Sequence, residues 1–251
     1  MQFNKVSAEY SFGGFIFIEV IMNAIIDGRM SKKAKARLSE RFSLIELPPY
    51  PLLDKRVASH PDMLMLYSSG KLFVCKDYLM SSGDILKIDG TKIIECDVSL
   101  KSEYPFDIAF NSFISSKCLF GSIRYTAREL LDFSCEQGIN QCNVKQGYSK
   151  CSTVVLGDDG IITADKSIYE AYKKISGNAL LISPDGVALN GYDRGFIGGA
   201  SGVCNKEVFF CGDIGLHPDS EKIIDFCNDL GYTVTSLSDE PLYDVGTIIF
   251  I

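Results

Sequence analysis

The chain of 251 residues has only two histidines, and none of its nine cysteines forms a CxxC pair. These shortages argue against zinc-ribbon and thioredoxin-type sites. A site made of Asp alone would take a hard cation at best, so no metal and no cofactor is expected. No basic block is longer than Lys32-Lys33-Ala34-Lys35-Ala36-Arg37, and a dedicated nucleic-acid binder needs a basic face. The most apolar run, from Phe12 to Ile26, is broken by Glu19 and Asn23 and is too short to span a bilayer. A basic start followed by a small-residue cleavage site is also missing, so the expectation is a cytoplasmic protein with free thiols in a reducing compartment.

What remains is ordinary for a folded chain: 46% hydrophobic and 23% charged residues, with 25 Lys and Arg against 32 Asp and Glu. The net charge of −7 suits a cationic small-molecule partner, and it suits plain solubility equally well.

Three segments share one pattern, two bulky apolar residues, a small one, a variable one and then Asp: Phe73 to Asp77, Ile161 to Asp165 and Phe209 to Asp213. The Asp positions are 88 apart (77 to 165) and 48 apart (165 to 213), so a missing copy belongs near residue 121, where Leu119-Phe120-Gly121 stands. A further step back reaches Ile25-Ile26-Asp27-Gly28-Arg29. The result is five units of about 50 residues. A helix candidate follows each anchor: Ser31 to Phe42, Leu79 to Leu86, Tyr125 to Gln137, Ser167 to Ile175 and Ser220 to Leu230, with apolar residues at helical spacing. A β-rich run follows each helix, as in Lys92 to Cys96 and Thr233 to Leu237. Each unit therefore reads strand, turn, strand, helix, strand. The last run, Gly246 to Ile251, lacks a second hairpin strand; pairing with the N-terminal run ending at Ile26 would close a ring and remove two open edges. The expectation is one domain over residues 1–251: a mixed α/β, five-bladed propeller of ββαβ repeats.

Such a ring resembles the pentein fold of the guanidino-group modifying enzymes, among them arginine deiminase and dimethylarginine dimethylaminohydrolase. The strings HPDMLML from His60, QGYSKCSTVVL from Gln146, GFIGGASG from Gly195 and LYDVGTIIFI from Leu242 are similar to those of an uncharacterised bacterial family assigned to this fold. The resemblance implies that the starts of the inner strands gather at one centre. These starts are His60-Pro61-Asp62, Pro105-Phe106-Asp107, Lys150-Cys151-Ser152, Gly198-Gly199-Ala200 and Asp244-Val245-Gly246.

It also implies a chemistry: hydrolysis or amidino transfer on a cationic guanidino or amidino compound. A thiolate is the strong nucleophile near neutral pH, imidazole moves protons there, and paired carboxylates match a planar cation. On that pattern Cys151 is the nucleophile, His60 the acid/base and Asp244 the acidic partner. Asp62, Asp107, Lys150, Gly198 and Gly199 bind substrate, and Lys150 is placed to lower the thiol pKa. The family's acidic residue falls near Phe12-Gly13-Gly14, where no carboxylate stands, so Glu9 or Asp244 must serve. Duller roles stay open. Cys151 reads equally as a buried strand thiol, His60 as a turn cap, the three Asp as acceptors for backbone donors, and the glycines as packing sites. Cys75 and Cys211, at equivalent repeat positions, read as core, and Asp219 as the N-cap of the last helix. A non-catalytic ring that binds a ligand or a partner protein is the alternative function. A homo-oligomer packed through exposed aromatics is left open.

Overall fold

Turn residues cut the chain into strands of two to five residues. The computed structural model describes residues 10–12, 15–17 and 22–251. A short hairpin, β1 (Tyr10–Phe12) and β2 (Phe15–Phe17), comes first. Next are β3 (Asn23–Asp27), α1 (Lys32–Ser39) and β4 (Ser43–Leu47). A single turn of helix, α2 (Pro61–Leu64), leads into β5 (Met65–Ser68), β6 (Lys71–Cys75), α3 (Lys76–Ser82) and β7 (Lys92–Cys96). The same order recurs in β8 (Phe113–Ser115), β9 (Cys118–Gly121), α4 (Arg128–Glu136) and β10 (Asn140–Asn143). It recurs again in β11 (Thr153–Leu156), β12 (Gly160–Thr163), α5 (Lys166–Lys173) and β13 (Ala179–Leu181). After β14 (Val187–Ala188) come β15 (Ser201–Cys204), β16 (Glu207–Phe210), α6 (Ser220–Asp229) and β17 (Thr233–Ser236), then β18 (Leu242–Tyr243) and β19 (Ile249–Phe250).

Among the described residues, five sheets have three strands each and follow one plan, an antiparallel pair extended by a parallel strand beyond the helix: β5-β6-β7, β8-β9-β10, β11-β12-β13, β15-β16-β17 and β19-β3-β4. In the last of these the two strands of the antiparallel pair come from opposite ends of the chain, with Ile249 opposite Ile25 and Phe250 opposite Ala24. This is the terminal pairing that the unpaired last run implied.

The middle strands β3, β6, β9, β12 and β16 are covered on both faces, and their buried apolar runs show it. The helices lie on one side of them and bury pairs at i, i+4: Ala34 and Leu38, Ile168 and Tyr172, Ile223 and Cys227. Three hairpins turn on two residues that both have positive φ, Ser69-Gly70, Ser116-Lys117 and Asn205-Lys206, as a tight turn matching the strand twist requires.

Two helices differ from expectation. The second begins earlier, at Lys76, and continues as a 3-10 turn over Gly83–Leu86. The third begins later, at Arg128, because Ile123–Tyr125 forms a separate 3-10 turn. The parallel pair β14-β18 carries no repeat signal; it ties the loop before β15 to the segment that holds Asp244, whose N–H donates to Ala188 O. Cys75 and Cys211 are buried as expected. No helix among the described residues is long and apolar enough to cross a membrane.

Candidate active site

The inner strands β5, β8, β11, β15 and β19 all contribute side chains to one cavity of about 260 Å³. Its charged residues precede strand starts, Asp62 before β5 and Lys150 before β11, and so do Ser112 before β8 and Thr247 before β19; Ser68 and Ser201 line it from within strands. Residues as far apart in order as Asp62 and Thr247 thus meet because each precedes an equivalent strand.

Cys151 is buried behind that lining. Its Sγ donates to Asp62 Oδ2 at 2.9 Å and accepts from Asn111 Nδ2 at 3.0 Å. Asn111 Oδ1 in turn accepts the backbone N–H groups of Lys150 and Cys151, at 2.9 and 3.1 Å. One asparagine therefore fixes both the backbone and the sulfur. Burial, then the carboxylates of Asp62 and Asp244, push the thiol well above its ordinary pKa, so it is protonated and acts as a donor. Burial also raises Asp62, to about 6, even though the bond from Cys151 works the other way. The second oxygen of Asp62, Oδ1, is buried with no hydrogen-bond partner, and Asp62 lines the cavity.

His60 stands before Pro61 at the start of α2, but its side chain makes no cap bond. The imidazole instead lies between two carboxylates, with Nε2 3.6 Å from Asp27 Oδ2 and Nδ1 3.8 Å from Asp244 Oδ1. Burial lowers the His60 pKa against the pull of both acids, so the ring is neutral near pH 7. Burial works against ionisation of Asp27 too, but bonds from Arg29 and Ser59 outweigh it and hold Asp27 below its ordinary value. Burial raises Asp244, whose oxygens accept from Phe196 N and Gly246 N. His60 and Asp27 line a second cavity of about 650 Å³, together with Arg29 and Arg56. Cys151 and Asp244 line neither cavity.

The structure thus brings together Cys151, His60, Asp244, Asp62 and Lys150, and leaves the other candidates aside. Asp107 bonds to the hydroxyl of Tyr148 at 2.6 Å and lines neither cavity. The residue that stands two places before β8, as Cys151 stands two before β11, is Asn111. Gly198 and Gly199 also line neither cavity. A Cβ on Gly198 would overlap the carbonyls of Thr153, Lys150 and Cys151, and one on Gly199 would overlap the Asp244 carboxylate, so their place is close packing. Lys150 Nζ bonds Thr247 Oγ1 at 2.9 Å, and burial lowers its own pKa against the pull of Asp62, Cys151 and Asp244. Glu9 and Gly13-Gly14 lie outside the described residues. Sequence reasoning missed Asp27 and Asn111 as site residues. The first ends the strand of the N-terminal anchor, and counting back from the strand rather than from the Pro-Phe-Asp string would have found the second. Among the described residues no group of three or more His, Cys, Asp or Glu side chains is arranged to hold a metal ion.

This mixed α/β fold is similar to that of dimethylarginine dimethylaminohydrolases and of an amidinotransferase. A dimethylarginine dimethylaminohydrolase variant solved as an adduct with S-methyl-L-thiocitrulline has a TM-score of 0.55 at 10% identity, over 88% of this chain and 93% of that one. DDAH from Pseudomonas aeruginosa, a Cys-to-Ser mutant complexed with citrulline, has a TM-score of 0.52 at 12% identity, over 87% and 93%. SxtG, an amidinotransferase from Microseira wollei in the saxitoxin biosynthetic pathway, has a TM-score of 0.51 at 11% identity, over 81% and 72%. A sequence search of curated proteins gave no match. The chain belongs to DUF6873, a family of unknown function, whose model matches residues 25–249.

Proposed function

We propose that the five sheets are the blades of one ring, acting as a single domain, and that its centre is the active site of a cysteine-dependent enzyme for cationic guanidino or amidino compounds. The observation that carries this reading is the Asp62 carboxylate: one oxygen holds the Cys151 thiol, and the other, unpartnered, belongs to a residue lining the cavity. An unpaired buried acceptor is costly, and the N–H of a guanidinium would satisfy it. The similarity to DDAH and an amidinotransferase supports the same class of chemistry.

The resting thiol is protonated, and the substrate corrects this. A permanent cation beside a buried thiol favours the thiolate, and the proton already points at Asp62 Oδ2. Sγ then adds to the guanidinium carbon, forming a C–S bond, and the displaced nitrogen leaves with the proton that Asp62 took from the thiol. Neutral His60, flanked by Asp27 and Asp244, is the base that takes a proton from water in the second step and returns it to the thiol. Water adds to the remaining thiouronium carbon, the C–S bond breaks, and the thiol recovers a proton. The net change is guanidinium plus water giving a ureido product and an ammonium ion. If an amine adds in place of water, the same adduct gives amidino transfer. Lys150, whose ammonium is destabilised by burial, and Thr247 position the substrate beside Asp62.

The test is turnover of a panel of alkylguanidines and amidines, read as ureido product and ammonia, with or without an amine acceptor. Cys151→Ala should lower kcat at least about 10³-fold while the variant still binds the substrate. Turnover unchanged in Cys151→Ala overturns the assignment; binding without turnover in the parent protein replaces the enzyme with a binding ring.

A further inference from the structure

A third cavity, of about 240 Å³, lies on the other side of the 150–152 segment. Cys151 is not in its lining, but Ser152 is, and so are Phe196, Ile197 and His217, the last from a second His-Pro-Asp string, His217-Pro218-Asp219. The side chains of Phe196, Ile197 and His217 have no part in the chemistry above.

Two buried groups here have no partner. Ser152 is 2% exposed and its Oγ makes no hydrogen bond. His217 is 3% exposed; its Nδ1 accepts the Asp219 N–H at 3.0 Å, which puts the proton of the neutral ring on Nε2, and Nε2 is unpartnered. Burial lowers the His217 pKa, so the ring stays neutral. The lining carboxylate, Asp165, is already engaged on both oxygens. Asp165 Oδ1 takes Ser167 Oγ and Ile168 N, and Oδ2 takes Gln146 Nε2. What is missing is therefore an acceptor for two idle donors on residues that line this cavity. Arg194, half exposed and 3.4 Å from Asp185, brings positive charge to the same cavity. The remaining surface is apolar, from Val187, Phe196 and Ile197. Waters would satisfy the donors only by wetting those walls, and the space equals that of about eight water molecules in the liquid.

We propose that this cavity binds a small carboxylate with a compact apolar body. Its oxygens accept from Ser152 Oγ and His217 Nε2, its charge faces Arg194, and its hydrocarbon covers the apolar wall. The site is separate from the proposed catalytic centre, and its test reads binding rather than turnover, so either can fail alone.

The experiment is calorimetric titration of the full chain with isovalerate and benzoate, beside the neutral isosteres isovaleramide and benzamide. Saturable binding of a carboxylate, at least about tenfold tighter than its amide, is expected. Ser152→Ala breaks no hydrogen bond, so it should keep or raise Tm in the absence of ligand and weaken carboxylate binding at least about tenfold. His217→Asn keeps an acceptor for the Asp219 N–H, removes the Nε2 donor, and should weaken binding similarly. No saturable binding of either acid below about 10 mM, equal affinity for acid and amide, or undiminished binding by Ser152→Ala overturns the proposal.

Discussion

Cys227 and Cys151 are both buried thiols in the same fold, yet their surroundings have little in common. Cys227 sits on α6 among Ile223, Val208 and Phe210, and burial alone pushes it up to about 12. Cys151 lies between a carboxylate and an amide, and its charge is coupled to two further titratable groups, Asp244 and Lys150. The outer layer removes alkyl and aromatic surface from water, and its contacts are non-directional. The hub removes charge from water, which is favourable only where each group meets a partner. Burial is therefore a poor guide to role here, and the partners of the buried atom are the better one.

The sharpest way to break this contrast is to remove one member of each region. Asp62→Asn in the hub should cut kcat/KM roughly 10³-fold, about 4 kcal/mol of barrier, in a steady-state assay of guanidino turnover. Ile223→Ala in the shell should leave kcat/KM per folded molecule unchanged while costing about 3 kcal/mol of stability by denaturant titration. Equal effects on both quantities in both variants would erase the distinction.

Glycines sharpen it next. At Gly199 a methyl group would overlap the Asp244 carboxylate, and Gly199→Ala should cost about 3 kcal/mol by denaturant titration.

The hub should also show itself in pH dependence. Asp62 has a folded-state pKa of about 6, above its ordinary 3.8. The folded protein therefore holds a proton that the unfolded chain releases, and the stability from this group is complete below about pH 4 and lost as pH rises through about 6. Measured by urea titration, Asp62→Asn should gain on the parent protein by up to roughly 3 kcal/mol between pH 4 and 7. A pH-independent difference would mean that Asp62 is not an isolated buried acid. The smallest effect belongs to the rim of the shell. Gly231, at the end of α6, has φ of +77° and open space around it, so Gly231→Ala carries backbone strain alone, about 1 kcal/mol in the same titration.

Much of the fold was legible because the repeat speaks through local chemistry. The Asp-bearing anchors marked the ends of middle strands, helical spacing marked the helices, and the unpaired last run implied the β19-β3 pairing. The site was legible where residues sit close to a strand start, as His60, Asp62 and Cys151 do. It failed where loop length varies. The segment between β7 and β8 is irregular, so the Pro105-Phe106-Asp107 string is out of step and Asn111 takes the equivalent place. The pair β14-β18 has two residues per strand, too few for any periodicity to show.

The amino-acid order alone determined the middle strands, the helices and the pairing of the two chain ends, because burial period and turn residues act over a few neighbours. Only the tertiary structure decided which polar side chains meet. Whether His60 caps a turn or faces Asp27 and Asp244, and which group Lys150 Nζ bonds, depends on distances between groups far apart in the chain. No local preference encodes those distances.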